Sequence, residues 1–262
     1  MILELKDIRL SYSKGGEDDS WLLKGVNMEA EEGLVTALVG GNGAGKTTLF
    51  NIISGFERRF EGDVFLDGRR ITRSPAHRIA RKGVGRLFQG RQLMEDLTVL
   101  ENMKIANPNR YGEMPFHKFL RPGKVSALEA DREEKAREIL TRLFGDGNKY
   151  LDKLNDKASE LSYGEQRLIA LSRLMMMGRD SLLLLDEPTS GVNPEHIATI
   201  GRIIREMTDE MNMTVLIIEH NMDFVRSVAT QCHYLADGAI VKSGTPREVL
   251  DDPFVRKDYA GL

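Results

Sequence analysis

Leu34-Val35-Thr36-Ala37-Leu38-Val39-Gly40-Gly41-Asn42-Gly43-Ala44-Gly45-Lys46-Thr47-Thr48 is the stretch on which the fold turns. Leu34–Val39 is short and mostly apolar, the pattern of a strand buried on both faces. The segment Thr48–Ser54 after the glycines reads as a helix. Gly40, Gly45, Lys46 and Thr47 fit the pattern G-x-x-x-x-G-K-[ST]. Glycines let the backbone wrap closely and turn its amides inward. Those amides and the following helix N-terminus form a cradle for phosphate oxygens. Lys46 would reach the β- and γ-phosphates, and the Thr47 hydroxyl would ligate magnesium. Gly40, Gly41, Asn42, Gly43, Ala44, Gly45, Lys46, Thr47 and Thr48 are therefore candidate nucleotide-binding residues. A glycine-rich turn that merely contains a lysine would carry the same letters, but here strand and helix flank it as the motif requires. The loop alone does not separate an ATPase from a GTPase or a small-molecule kinase.

A second apolar strand ends in acids: Leu182-Leu183-Leu184-Leu185-Asp186-Glu187-Pro188. Four leucines would hold the strand end rigidly. Asp186 would support magnesium directly or through water. Glu187 would orient and deprotonate an attacking water. Alone, such a segment would be an ordinary strand meeting a polar turn. Beside a phosphate loop it reads as catalytic.

Outward from these two strands, the first 40 residues alternate like strands. Leu3, Leu5, Ile8 and Leu10 precede a polar, glycine-containing turn at Ser13–Asp19, and Leu22, Val26 and Met28 follow it. Val64–Gly68 and Val84–Phe88 also read as strands. From about 90 to 177 strand pattern gives way to helix pattern, with Leu128, Ile139, Leu140 and Leu143 apolar within Ser126–Phe144. Residues 107–123 hold three prolines and two glycines and read as a variable surface connection. A helix is expected over Arg167–Met177. After it, Leu182–Leu185, Pro194–Met207 and Val215–Ile218 alternate strand, helix, strand, which implies a mostly parallel sheet covered by helices.

The composition fits an ordinary globular chain. Of 262 residues, 41% are hydrophobic and 29% charged, and the formal net charge is −3. That balance argues against disorder and leaves no basic footprint for bulk nucleic-acid binding. The single cysteine, Cys232, excludes an intrachain disulfide framework and a multi-thiolate zinc site. No apolar run approaches the roughly 18 residues of a membrane span, and no export signal is visible at the N-terminus.

Three further segments fall into order with the two strands. Leu161-Ser162-Tyr163-Gly164-Glu165-Gln166 precedes the helix that leads to Leu182. Gln89 follows the strand at Val84–Phe88, and His220 follows the strand at Val215–Ile218. The whole arrangement resembles the nucleotide-binding subunits of ATP-binding cassette (ABC) transporters. The resemblance implies an α/β fold: a P-loop NTPase core with a mostly parallel sheet, an N-terminal antiparallel β part and an inserted α-helical subdomain. As one ATPase domain, its core would span about 1–89 and 178–262, with the helical subdomain at about 90–177.

The resemblance also implies roles. ATP and Mg²⁺ would be the ligands, with Thr47, Gln89 and Asp186 at the metal. Lys46, Glu187, His220 and Gln89 would serve catalysis, His220 at the γ-phosphate and Gln89 coupling the magnesium site to the transporter. Tyr12 would stack on adenine. Ser162, Gly164 and Gln166 belong to the signature loop, which contacts ATP bound to an opposing subunit. The implied partners are a second nucleotide-binding subunit, integral membrane permeases and, indirectly, a solute-binding protein, on the cytoplasmic face of the cell membrane. The region from Gln89 to about Met103 would receive a permease helix, unless Leu93, Met94, Leu97 and Val99 fill the helical subdomain's own core. The common signature Leu-Ser-Gly-Gly-Gln reads Leu-Ser-Tyr-Gly-Glu here, and Asn193 stands where an aspartate is common. These departures are similar to the branch that imports branched-chain amino acids. A lipid or polysaccharide exporter, and a soluble scaffold ATPase without a membrane partner, remain as alternatives.

Overall fold

The structure is a computed structural model that describes residues 2–12, 21–90, 93–106 and 122–260. The turn expected at Ser13–Asp19 lies outside the described residues, as does the connection expected at 107–123 up to residue 121; Pro122 and Gly123 begin the helix Pro122–Phe144 instead. Two compact units divide the chain. The first comprises Met1–Leu87, Asp180–Ser190 and Ile204–Leu262, and the second Phe88–Arg179 and Gly191–Ile203.

The first unit holds two sheets. Strands β1 (Leu3–Ser11), β2 (Trp21–Ala30), β4 (Glu61–Leu66) and β5 (Arg69–Arg70) form an antiparallel sheet in the order β2-β1-β4-β5. Strands β3 (Val35–Val39), β6 (Val84–Leu87), β7 (Leu182–Asp186), β8 (Thr214–Ile218), β9 (Gln231–Ala236) and β10 (Ala239–Gly244) form the second, in the order β10-β9-β3-β8-β7-β6. From β9 to β6 every pairing is parallel, and β10 returns antiparallel on β9. β3, β7 and β8 are buried at every position, as their unbroken apolar runs require of strands covered on both faces. One buried cluster joins Leu5, Ile8 and Val26 of the first sheet to Leu38, Leu184 and Leu216 of the second, with Leu49, Phe50 and Ile53 of the helix Lys46–Ile53 among them.

The consequence for function lies in the register. Leu38 of β3 faces Ile218 of β8, and Ile218 also faces Asp186 of β7. Three adjacent parallel strands thus end side by side. Ligands of open α/β sheets bind beyond such carboxyl ends.

In the second unit, helices Val99–Ile105, Pro122–Phe144 and Tyr163–Met175 pack on one another. Val99, Met103, Ile139, Leu140, Leu143 and Leu171 are buried. The helix expected at Arg167–Met177 begins earlier, at Tyr163, because Ser162 caps it. The unit also takes in Gly191–Ile203, which the sequence reading placed in the core. Ile200 and Ile203 are buried, and His196 packs on Gly164 so closely that a Cβ there would lie 2.5 Å from its ring. Of the apolar residues around Gln89–Met103, Leu93 and Val99 are buried in this unit while Met94 is 54% exposed. Buried Asn102 pins the segment before its helix: its amide oxygen accepts from Met94 N at 2.8 Å, and its amide nitrogen donates to the carbonyls of Met94 and Thr98.

Candidate functional site: a charged edge of the parallel sheet

The loop after β3 shows why its glycines are needed. A Cβ on Gly40 would lie 2.1 Å from the Leu235 carbonyl oxygen, so no larger residue fits against β9. Gly45 has φ 104° and would strike the Leu23 side chain. It precedes the helix Lys46–Ile53, which has neither a side-chain cap nor an acid in its first turn. The first-turn N–H groups are therefore offered to an anion rather than to the protein's own oxygens. The Lys46 ammonium is buried and donates to the carbonyl oxygens of Gly40 at 2.7 Å and Gly41 at 2.8 Å. Burial pushes its pKa below the ordinary lysine value, and the carboxylates of Glu187 and Asp186 push the other way. Thr47 is exposed.

Asp186 ends β7 and is 2% exposed. Arg86 of β6 donates to its Oδ2 at 3.4 Å and also to Asn51 Oδ1 and Ser54 Oγ, both at 2.8 Å. The guanidinium thus ties the strand end to the helix that carries Lys46. Burial lowers the Arg86 pKa, with Asp186 opposing the shift. Glu187 follows at φ 47°, a left-handed conformation costing a non-glycine residue about 1–3 kcal/mol. Its N–H donates to the Ile218 carbonyl at 2.9 Å, and its Oε1 lies 3.3 Å from His220 Nε2. Lys46, the Asp186-Glu187 pair and His220, from three stretches far apart in sequence, therefore meet at one edge of one sheet.

Two residues to which the sequence reading assigns no role complete this edge. One is Arg86, a cation in mid-strand. The other is Glu219, buried, whose Oε1 accepts from both Thr189 N and Thr189 Oγ1. Its signal was an acid directly after an apolar strand, the same pattern that marked Asp186. Beside the loop, among the described residues, a cavity of about 370 Å³ is lined by Trp21, Leu22, Gly41, Ala44, Gly238 and Phe254. Trp21 and Phe254 are its aromatic residues. Tyr12 follows β1 and is 63% exposed.

In the second unit, Gln89 is exposed, two residues beyond the end of β6. The segment Ser162–Gln166 forms a helix start rather than an extended loop. Ser162 Oγ accepts from Glu165 N at 3.3 Å, and Glu165 Oε2 accepts from Ser162 N at 2.9 Å, a reciprocal cap. Lys149 pairs with Glu165 Oε1 at 2.6 Å. Burial alone would raise the Glu165 pKa, but Lys149 and the Ser162 donors outweigh it and hold the group at about 2. The glutamate that replaces the family's glutamine thus caps the helix. Gln166 donates its amide to the carbonyls of Ala158 and Leu161 and braces the segment from behind. Tyr163 packs beside Gly191.

Among the described residues no helix is long and apolar enough to cross a membrane. The profile of the family described as ABC transporter matches residues 23–190. The chain is 37% identical over 244 residues to the high-affinity branched-chain amino acid transport ATP-binding protein BraF of Pseudomonas aeruginosa, covering 91% of each chain. It is 38% identical over 240 residues to the probable branched-chain amino acid transport ATP-binding protein LivG of Archaeoglobus fulgidus, covering 91% of this chain and 89% of that one. Its fold is similar to the crystal structure of an ATP-binding cassette of an ABC transporter in its ADP conformation, with a TM-score of 0.79, 29% identity and coverage of 100% and 99%. With a family match over most of its length and relatives aligned with nine-tenths of it, the chain belongs to the ABC transporter family as an ATP-binding, ATP-hydrolysing subunit.

Proposed function

We propose that this ATPase drives import of branched-chain or other hydrophobic amino acids, working with a second nucleotide-binding subunit, the same or a homologous chain, beneath a permease on the cytoplasmic face of the cell membrane. A solute-binding protein would deliver the substrate to that permease. The substrate class rests on the two relatives that carry branched-chain transport in their names and align with nine-tenths of this chain. The catalytic reading rests on the cluster of Lys46, Asp186, Glu187 and His220 at the sheet edge.

In this reading Lys46 exchanges the Gly40 and Gly41 carbonyls for the β- and γ-phosphates. The loop amides and the bare helix N-terminus hold the remaining phosphate oxygens. Glu187 accepts the proton of the attacking water, and His220 orients that carboxylate and meets the γ-phosphate. Thr47 and Asp186 offer the hard oxygen donors that suit Mg²⁺, and among the described residues no cluster of three His, Cys, Asp or Glu competes as a closed metal cage. With Gln89 they would hold that ion, which when bound offsets the charge of the phosphates. Ser162 and Gly164 would close over ATP held by the opposing subunit, with Gln166 bracing them. Adenine would stack beside the loop on Tyr12, or on Trp21 and Phe254 of the neighbouring cavity.

The test is to isolate the native complex, identify its partners and reconstitute it in vesicles with leucine. The expected result is a complex with integral membrane permeases that accumulates leucine only with ATP. A complex without a membrane protein, or one with a lipid or polysaccharide permease, would contradict the substrate reading.

A further inference from the structure

A buried carboxylate, Glu219, joins the turn that carries Glu187 to the turn that carries His220. Glu219 directly follows β8 and is 2% exposed. Its Oε1 accepts from Thr189 N at 2.8 Å and from Thr189 Oγ1 at 2.6 Å. Its Oε2 accepts from His220 N at 3.0 Å and from Asn221 N at 3.3 Å. Four donors converge on the two oxygens of one carboxyl group.

The donors come from the two segments that carry the reacting groups. Thr189 lies two residues beyond Glu187, whose left-handed backbone donates to the Ile218 carbonyl at 2.9 Å and accepts from Ser190 N at 3.1 Å. His220 carries the imidazole, and Asn221 caps the helix Met222–Val228 through a bond from Phe224 N at 3.0 Å. Glu219 thus ties the turn bearing Glu187 to the turn bearing His220, and the helix cap anchors the far side. The separation it spans is the one that sets the 3.3 Å contact between His220 Nε2 and Glu187 Oε1.

We infer that Glu219 is a positioning residue for ATP hydrolysis, a carboxylate clamp that fixes His220 against Glu187. The inference rests on the proposed roles of those two residues. A misplacement of about 1 Å at a reacting group can cost about a hundredfold in rate, so a clamp at this point controls turnover rather than nucleotide affinity.

The experiment is a double-mutant cycle on the full chain with Glu219→Gln, His220→Ala and both together. The amide turns one acceptor into a donor facing N–H groups. Turnover, ATP affinity by direct titration and thermal melting are measured for each variant. Glu219→Gln is expected to lower kcat by about tenfold or more while ATP affinity stays within about twofold. In the His220→Ala background the same change is expected to cost less than about twofold further, because the group being positioned is gone. A full, additive loss in both backgrounds, or an unchanged kcat in a folded Glu219→Gln protein, would overturn the clamp. If Glu219→Gln does not fold, Thr189→Val removes one of the four bonds and should show a smaller loss with the same lack of additivity; additivity there would overturn the clamp equally. If His220→Ala and Glu187→Gln each retain wild-type turnover, the catalytic pair itself is wrong and the clamp falls with it. That outcome is distinct from failure of the clamp alone.

Discussion

The nucleotide edge of the first unit and the Ser162–Gln166 helix start of the second are both short polar segments, yet they are built in opposite ways. At the sheet edge Lys46 is held by its own loop, but the acids and the histidine are placed by distant strands. Asp186 is placed by strand register against Ile218 and by Arg86, and Glu187 by the Ile218 carbonyl. His220 is placed by Glu219, which in turn depends on Thr189. The Ser162 segment is nearly self-sufficient: its cap closes within four residues, and Lys149 and the Ala158 and Leu161 carbonyls finish it. A site assembled from distant strands concentrates burial, charge and backbone strain, and each partner depends on the others. A locally satisfied helix start tolerates exchange, which explains how Glu165 stands where the family commonly has glutamine.

Substitutions should expose this contrast. The largest effect is expected at the sheet edge. Glu187→Gln keeps the size of the side chain but removes the base, so turnover should fall about 10²–10⁴-fold while ATP still binds. Steady-state hydrolysis beside a binding titration measures both; turnover within about threefold of wild type would remove Glu187 as base. The smallest effect is expected in the helix start. Lys149→Met deletes one partner of Glu165 but leaves the cap, so the carboxyl pKa should rise from about 2 toward its ordinary 4.5. Because the folded value is depressed, the stabilisation is full above about 4.5 and is lost as pH falls through about 2. Carboxyl ¹³C NMR titration of Glu165 in both proteins reads this shift; an unchanged midpoint would mean that the Ser162 donors alone hold the charge.

The same contrast separates what was legible in the sequence from what was not. The unbroken apolar runs of β3, β7 and β8 are visible by eye, and so are the glycines and Lys46 between strand and helix. Asp186 and Glu187 stand out because they end an otherwise apolar run. Arg86 and Glu219 did not stand out, since their importance arises from which strand lies beside which, and register between distant segments is not written in either segment. The Ser162 helix was expected four residues late although its cap pattern, a serine followed three residues on by glutamate, was present. The same pattern at Thr98 with Glu101 marks the start of Val99–Ile105, inside the stretch expected to be helical, and at Thr245 with Glu248 it marks Pro246–Leu250, for which periodicity gives no expectation. For these helix starts capping chemistry is a sharper signal than hydrophobic periodicity.

The central claim is that nucleotide is held where β3 delivers its loop to the charged edge, with Lys46 leaving its own loop carbonyls for phosphate. Direct titration of ATP into wild type and Lys46→Ala, both confirmed folded, tests it most plainly. The account predicts that the variant binds ATP about tenfold more weakly or worse, since it loses a charge-assisted contact inside a buried loop. Equal affinity in the two proteins would contradict it.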